Sequence, residues 1–379
     1  MSLPIVIIGA GLSGLYASHL LNKAGHDTVL VEARARLGGR VLSHAVGEQG
    51  HRLDMGPAWF WPAMNPRMLA LIERLGLRHF AQFSEGALVV EGPDGNPQRR
   101  PTTWEQAPPS HRIAGGVQQL TEALAAQLEA RTHIKLNTTL LGMKLRPHGV
   151  ELELQDDGGR WQQLARQVIL TIPPRLLAQD VPMIPEWPQA LMADMKRTST
   201  WMAGQAKFLA AYATPFWREQ GLSGTAVSHR GPLSEIHDAS DSTGSQAALF
   251  GLVGASSDYR RAIGPEELKR QSLAQLTRMF GAAAAHPLWS EVQDWAWEPH
   301  TATAADQRPL AYHPSYRRAE VPAPWSSRLW LAGTERSPNF GGYLGGALEA
   351  AELAVEGVLI STEGQALETD LTPTMQRDT

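Results

Sequence analysis

Three glycines stand at Gly9, Gly11 and Gly14 in the run G-A-G-L-S-G, and an acid, Glu32, follows eighteen residues after the last of them. At that spacing the first glycine makes a tight turn, the second lets backbone approach a pyrophosphate, and the third lets a helix pack closely on a strand. The helix that follows the turn then offers unpaired N–H groups and the positive end of its dipole to the phosphates. Glu32 is placed to accept from ribose hydroxyls. Further on, Leu37-Gly-Gly39-Arg40 supplies a second close-approach glycine pair and a guanidinium that can fork onto phosphate oxygens. Lys207 lies inside the apolar run A-K-F-L-A-A-Y, where a lysine is costly to bury unless it is paired or functional. Strand alternation groups it with Gln205 and Leu209, so an edge strand with Lys207 in solvent is the competing reading.

The elements that must hold these residues are legible around them. Residues 4–8 (P-I-V-I-I) form a continuous apolar run, the mark of a buried parallel strand. Leu15, Ala17, Leu20, Leu21 and Ala24 make a helical stripe that stops at Gly25, and 28–31 (T-V-L-V) is a second strand. A glycine turn that binds nothing needs none of this. Here strand, turn, helix, strand and terminal acid occur in order within the first 33 residues. Downstream, Asn65-Pro66 starts a helix that Gly76 ends, and Gly115-Gly116 opens another. Residues 133–172 read as short strands with turns near 147–149 and 156–159. The run 168–172 closes at Pro173-Pro174. Strand-like pieces at 205–212 and 247–253 are read with a helix from Pro265 to Phe280, and 344–360 is a long helical run. Residues 361–379 are polar and unpatterned and read as a loose tail.

Composition narrows the chemistry. A length of 379 residues suggests about two to three domains. With 34 basic and 38 acidic residues the net charge is −4, which gives no electrostatic case for nucleic acid. There is no cysteine, so disulfides, thiolate metal sites, iron–sulfur clusters, catalytic thiols and thioether-linked cofactors are excluded. The histidines show neither H-E-x-x-H nor H-x-H spacing, and no G-x-S-x-G elbow occurs, so neither a metal site nor hydrolase chemistry is expected. No signal peptide and no membrane span fits, so the reading is a cytoplasmic protein with no membrane partner. Twelve tryptophans, against six tyrosines and eight phenylalanines, require a large core or an aromatic site.

The run E-A-R-x-R-x-G-G-R-V, from Glu32 through Ala33 and Arg34 to Arg40 and Val41, resembles the second flavin-contacting motif of the flavin-dependent amine oxidases. Further segments resemble the same family in the same order. They are Asp54-Met-Gly-Pro-Ala-Trp59, Ile113-Ala-Gly-Gly116, the strand 168–172 with its Pro-Pro, Ala206-Lys-Phe208 followed by Pro215-Phe-Trp-Arg218, Leu331-Ala-Gly-Thr-Glu335, and Gly341-Gly-Tyr-Leu-Gly-Gly346. The resemblance covers residues 1 to about 360 and is most specific at its two ends.

The resemblance implies bound FAD. Its contacts would be Gly9, Gly11, Leu12, Ser13, Gly14, Glu32, Ala33, Arg34, Gly39, Arg40, Gly56, Pro57, Ala58, Trp59, Leu140, Gly333, Thr334, Glu335, Gly342, Tyr343 and Leu344. Without the resemblance, Glu335 reads as a solvated loop acid and Leu140 as a core leucine. Lys207 would hold a water against flavin N5 and support reaction with oxygen. Tyr343 would be one of two aromatics that flank the amine. The second belongs after Trp295-Ala-Trp-Glu-Pro299, but the matching position is Ala305; Trp295, Trp297, Phe340 or Trp61 could fill the gap, and plain core packing competes for each. The position of the family's flavin-tethering cysteine is Ala304, so the FAD is expected to be non-covalent. The segment between Gly76 and Gly115 is short for the family, so a wider substrate region is expected.

The expected fold is α/β. A Rossmann-type FAD domain would come from 1–78, 112–196 and 298–360, and a smaller mixed-sheet substrate domain from 79–111 and 197–297. The expected activity is oxidation of a small-molecule amine to an imine, then aldehyde and ammonia, with oxygen reduced to hydrogen peroxide. Two other readings stay open: an FAD-dependent dehydrogenase or desaturase that uses another acceptor, and a flavin-binding protein without catalysis. The sequence does not specify the amine or the oligomeric state.

Overall fold

Ile5, Val6, Ile7 and Ile8 present β-branched side chains to both faces of a strand, and all four are buried. A strand apolar on both sides belongs inside a covered parallel sheet. In the computed structural model Ile5–Ile8 is the middle strand of a five-stranded parallel sheet. The order is Leu329–Leu331, Gln167–Leu170, Ile5–Ile8, Thr28–Val31, Thr132–Lys135. The structure describes all residues except 1–2, 48–49, 102–107, 129, 309 and 371–379. Helix Leu12–Lys23 connects Ile5–Ile8 to its neighbour Thr28–Val31, which is the βαβ unit read from the sequence. Helix Leu344–Asp370 packs on it, and Tyr16 Oη donates to Glu352 Oε1 at 3.1 Å.

Cα proximity divides the chain into two compact units. The first consists of Met1–Leu37, Leu124–Thr198 and Ser315–Thr379, and the second of Gly38–Ala123 and Ser199–Pro314. Besides the parallel sheet, the first holds a four-stranded sheet ordered Gly159–Ala165, Gly149–Asp156, Thr139–Arg146, Met183–Ile184. Along Gly149–Asp156 the residues Val150, Leu152 and Leu154 are buried and alternate with Glu151, Glu153 and Gln155, the period of a strand with one covered face. The three buried residues join Val6, Val29, Val168, Trp187 and Trp325 in one core cluster.

The second unit is built on a seven-stranded mixed sheet. Its order is Trp289–Asp294, Ala206–Tyr212, Ala247–Val253, Leu233–Asp238, Leu222–Ser228, Ala87–Glu91, Pro97–Arg100. Ala87–Glu91 runs parallel to Leu222–Ser228, and the other pairings are antiparallel. Two small antiparallel pairs accompany it, Ser43–Val46 with His51–Asp54 and His79–Ala81 with His111–Ile113. All seven residues of Ala206–Tyr212 are buried because a core covers each face of the strand. Phe208 and Ala210 pack into one core with Trp217, Leu268 and Phe280, whereas Leu209 and Ala211 pack on the opposite face with Met55, Phe250 and Trp59.

The α/β class is as expected, with differences in detail. Helix Leu344–Asp370 continues through Asp370, so 361–370 is helical where a loose tail was read, and 371–379 lies outside the described residues. The added stretch E-G-Q-A-L-E-T is rich in good helix formers, which carry the helix on from Ile360. Segments 38–78, 112–123 and 298–314, grouped above with the dinucleotide-binding residues, fall by proximity in the second unit. For the first of these the reason is packing: Val46, Leu53 and Met55 share a core with Leu209 and Phe250. Helix Ser257–Phe280 starts earlier than Pro265, with a break at Gly264 (φ +77°) and an N-cap from Ser256, whose side chain accepts from Tyr259 N. Among the described residues no helix is long and apolar enough to cross a membrane.

Candidate active site

In the first unit the glycine turn joins Ile5–Ile8 to Leu12–Lys23. Gly9 has φ +99°, and a Cβ built at Gly14 would overlap the Gly9 carbonyl oxygen. Only glycine lets helix and strand approach this closely. Gly11 is the N-cap residue of the helix and makes no side-chain cap, so the first N–H groups stay free of a capping side chain. Glu32, buried at the end of Thr28–Val31, accepts from Ala10 N at 2.9 Å and from Arg34 N at 2.9 Å. Its carboxylate is therefore fixed against the glycine turn, with Ala33 and Arg34 half-buried beside it.

A second turn meets the first. The Ser13 hydroxyl donates to the Ala332 carbonyl, which ties the helix start to Gly333-Thr334-Glu335. Thr334 Oγ1 donates to the Tyr343 carbonyl at 2.8 Å, just before the helix that begins at Leu344. Glu335 is fully buried, so it is not the solvated loop acid. Gly342 has φ +81°, and Tyr343 N donates to the Phe340 carbonyl at 3.1 Å. Tyr343 is 43 % exposed and Phe340 is half-buried. Leu140 is a core residue paired with Leu154.

In the second unit the run after Gly39 and Arg40 pairs with the run after Asp54. Met55 N donates to Leu42 O at 2.9 Å, and a Cβ at Gly56 would overlap the Arg40 carbonyl oxygen. Lys207 is only 6 % exposed, so the solvent-edge alternative does not hold. Its Nζ donates to Gly56 O at 3.0 Å and stands 4.2 Å from the Phe250 ring centroid. Burial pulls the Lys207 pKa down to about 7, Arg112 adds to the lowering, and Asp54 opposes it. Trp59 packs 5.2 Å from Phe250, and its Nε1 donates to Gln82 Oε1 at 2.8 Å. Trp295 is buried and its Nε1 donates to Met55 O at 3.2 Å.

Lys207, Gly56, Trp59 and Trp295 thus belong to one cluster with Pro57 and Ala58 adjoining. Trp61 is half-buried, and its carbonyl accepts from Met64 N and Asn65 N, so its backbone serves a turn. Ala305 is exposed on the short turn Ala304–Asp306, which Asp306 holds by accepting from Thr303 N and Oγ1. Three members of the lysine's surroundings were missed by sequence reasoning: Phe250, Asp54 and Arg112. Asp54 opens a motif that was noticed, but nothing in the spacing ties 54, 112, 207 and 250 together. Among the described residues no group of three or more histidines or acids is placed to hold a metal.

Residues 12–111 and 99–359 match the family of flavin containing amine oxidoreductases. The chain belongs to this family. The amine oxidoreductase is 26 % identical over 464 residues to AofH of Mycobacterium tuberculosis, a protein named for flavin-containing monoamine oxidases, covering 93 % of this chain and 96 % of that one. It is 24 % identical to the putrescine oxidase of Kocuria rosea, covering 95 % and 96 %. Its fold matches the solved structure of cyclohexylamine oxidase from Brevibacterium oxydans with a TM-score of 0.77 at 20 % identity, covering 96 % of this chain and all of that one. A flavin is the cofactor of the family, and the residues present fit a flavin dinucleotide: a glycine cradle that a Cβ would fill, a helix N-terminus without a side-chain cap, and a buried acid fixed beside both.

Proposed function

We propose that this amine oxidoreductase is an oxidase that holds FAD without a covalent bond and uses oxygen as the electron acceptor. When bound, the flavin supplies a hydride acceptor for the amine C–H, so that amine, oxygen and water give aldehyde, ammonia and hydrogen peroxide by way of an imine. The observation that carries the oxidase reading is Lys207, whose charged end is enclosed by protein, held by Gly56 O and seated on the Phe250 ring. A fixed cation in a dry environment stabilises negative charge that develops as oxygen is reduced, and it needs no reorganisation to do so.

The remaining roles follow the chemistry of the side chains. Glu32 accepts from the ribose hydroxyls while its backbone contacts fix the turn. The Leu12–Lys23 N-terminus carries the pyrophosphate, and Glu335 accepts from the ribityl chain. Tyr343 presents a partly exposed aromatic face that favours an amine and directs its nitrogen. No side chain has to act as a strong base if the amine binds neutral, so the protein contributes orientation and exclusion of water. The first unit is read as the dinucleotide-binding part. The second is read as carrying the oxygen-step lysine, with Trp295 as an aromatic wall, whereas Tyr343 belongs to the first.

The test is anaerobic mixing with a panel of amines that includes putrescine and cyclohexylamine, the substrates named for two relatives. Bleaching of the flavin by at least one amine, followed by oxygen uptake and peroxide formation on aeration, is the expected result. Bleaching without oxygen uptake would make the protein a dehydrogenase, and no bleaching by any amine would leave a binding protein.

A further inference from the structure

Residues 337–343 lie between the short turn Thr334–Arg336 and helix Leu344–Asp370, and they form neither helix nor strand. Their course is set by side-chain contacts, and a carboxylate in the second turn of the helix makes most of them. Glu349, only 4 % exposed, accepts at Oε2 from Ser337 Oγ and, at 3.2 Å, from Asn339 N; its Oε1 accepts from Asn339 Nδ2 at 2.6 Å. Ser337 is fully buried, and its oxygen also accepts from Phe340 N at 3.0 Å. The Phe340 carbonyl in turn accepts from Tyr343 N at 3.1 Å. A continuous chain of contacts therefore runs from the Glu349 carboxylate through the Ser337 hydroxyl and the Phe340 backbone to Tyr343. A Cβ at Gly346 would overlap the Phe340 carbonyl oxygen, so this turn rests directly on the start of the same helix. Burying a carboxylate is costly, and an apolar side chain would fill the space without that cost. What the carboxylate adds is direction, because three donors of the segment converge on it.

We propose that Glu349 is a positioning residue, which through Ser337 and Asn339 holds the turn 337–343 so that Tyr343 keeps one orientation toward the amine. The consequence for amine oxidation rests on the role given to Tyr343 above; the tether itself does not. Thr334 Oγ1 holds the Tyr343 carbonyl at 2.8 Å, so the tyrosine backbone is fixed at both its N–H and its C=O while its ring is 43 % exposed. A reacting group misplaced by about 1 Å can lose on the order of 100-fold in rate. Lys207 lies in the other unit, so loss of the tether should separate amine oxidation from the oxygen step.

The experiment uses the holoenzyme labelled with 3-fluorotyrosine. The chain has six tyrosines, so the Tyr343 19F line is assigned by its loss in Tyr343→Phe. In Glu349→Ala this line should shift or split, while those of Tyr212, Tyr259 and Tyr312 in the second unit stay in place. The limiting rate of anaerobic flavin reduction by a good amine should fall by about 10-fold or more, with reoxidation and flavin content held within about twofold. Added to Tyr343→Ala, Glu349→Ala should slow reduction no further, since two residues acting through one ring are not additive. Glu349→Gln re-forms the contacts once the Asn339 amide turns over, so it should recover most of the lost rate and return the line. Ser337→Ala breaks the same chain at its middle and reads the tether if Glu349→Ala does not fold. A Tyr343 line that stays in place in these alanine variants, or that moves only together with the second-unit lines, overturns the proposal. A line that moves while reduction does not supports the proposal and overturns the role given to Tyr343.

Discussion

Lys207 brings four methylenes and an amine into a strand where every neighbour is buried, and its amine finds one carbonyl and one aromatic ring. If it serves the oxygen step, Lys207→Met should slow flavin reoxidation by roughly 100-fold or more, the scale of losing one preorganised charge or donor. Anaerobic reduction by a good amine should change far less, and stopped-flow measurement of the two half-reactions checks both. The sign of the pH dependence follows from burial. With a pKa held at about 7, the ammonium is present below that value and lost as pH rises through it, so reoxidation should slow across neutral pH. A rate that is flat from pH 6 to 9 would contradict this. Glu32 makes a second case at this scale. Its carboxylate is already fixed by Ala10 N and Arg34 N, so if it accepts from the ribose it does so without reorganising. Glu32→Ala should weaken FAD binding by about 1.5–3 kcal/mol, read by flavin fluorescence after dilution and filtration. Unchanged retention would reduce Glu32 to a brace for the turn.

The elements that carry these residues are short, and contacts outside them fix their direction. Helix Leu12–Lys23 starts without a side-chain cap, and its approach to Ile5–Ile8 depends on Gly14 having no Cβ. In Gly14→Ala the new methyl collides with the Gly9 carbonyl, which is backbone and cannot rotate away. The turn must open, and the protein should lose bound flavin together with several degrees of melting temperature, measured by thermal unfolding with flavin fluorescence as the second probe. Wild-type flavin content in this variant would mean that the turn does not set the phosphate geometry. In the second unit, strand Ala206–Tyr212 shows how an element divides labour. Its even-numbered residues fill one core and its odd-numbered ones the other, and Lys207 stands among the odd. Register then does the rest: Leu209 is opposite Phe250 and Lys207 opposite Leu252, which brings the Phe250 ring onto the lysine's face.

For the whole molecule, the absence of cysteine carries the firmest consequence. No thiol is available for a thioether link to the flavin, so acid precipitation should release all the yellow colour into the supernatant. Colour that stays with the pellet would require attachment through another side chain. The two compact units each close their own sheet over their own core, and the chain crosses between them four times, after Leu37, Ala123, Thr198 and Pro314. The run from Glu32 to Val41, which resembles a flavin-contacting motif, spans the first crossing, after Leu37.

The sequence by itself determined what depends on near neighbours. Ile5–Ile8, the glycine turn, Leu12–Lys23, Thr28–Val31 and Glu32 follow one another within 33 residues, so their identity and order are a matter of local spacing, and the βαβ unit with its glycine turn was legible from them. The N-cap at Asn65 was legible for the same reason: its side chain accepts from Met68 N, three residues on. Tertiary structure alone decided the surroundings of Lys207. Gly56 lies 151 residues away along the chain, Phe250 reaches it through strand register, and Asp54 and Arg112 come from two separate small sheets. It also decided that Lys207 is buried, because alternation distinguishes the two faces of a strand but not whether a core covers both of them. Hydrophobic periodicity is fixed by backbone geometry within a few residues, whereas the partner of a buried charge is fixed by which distant strands pair.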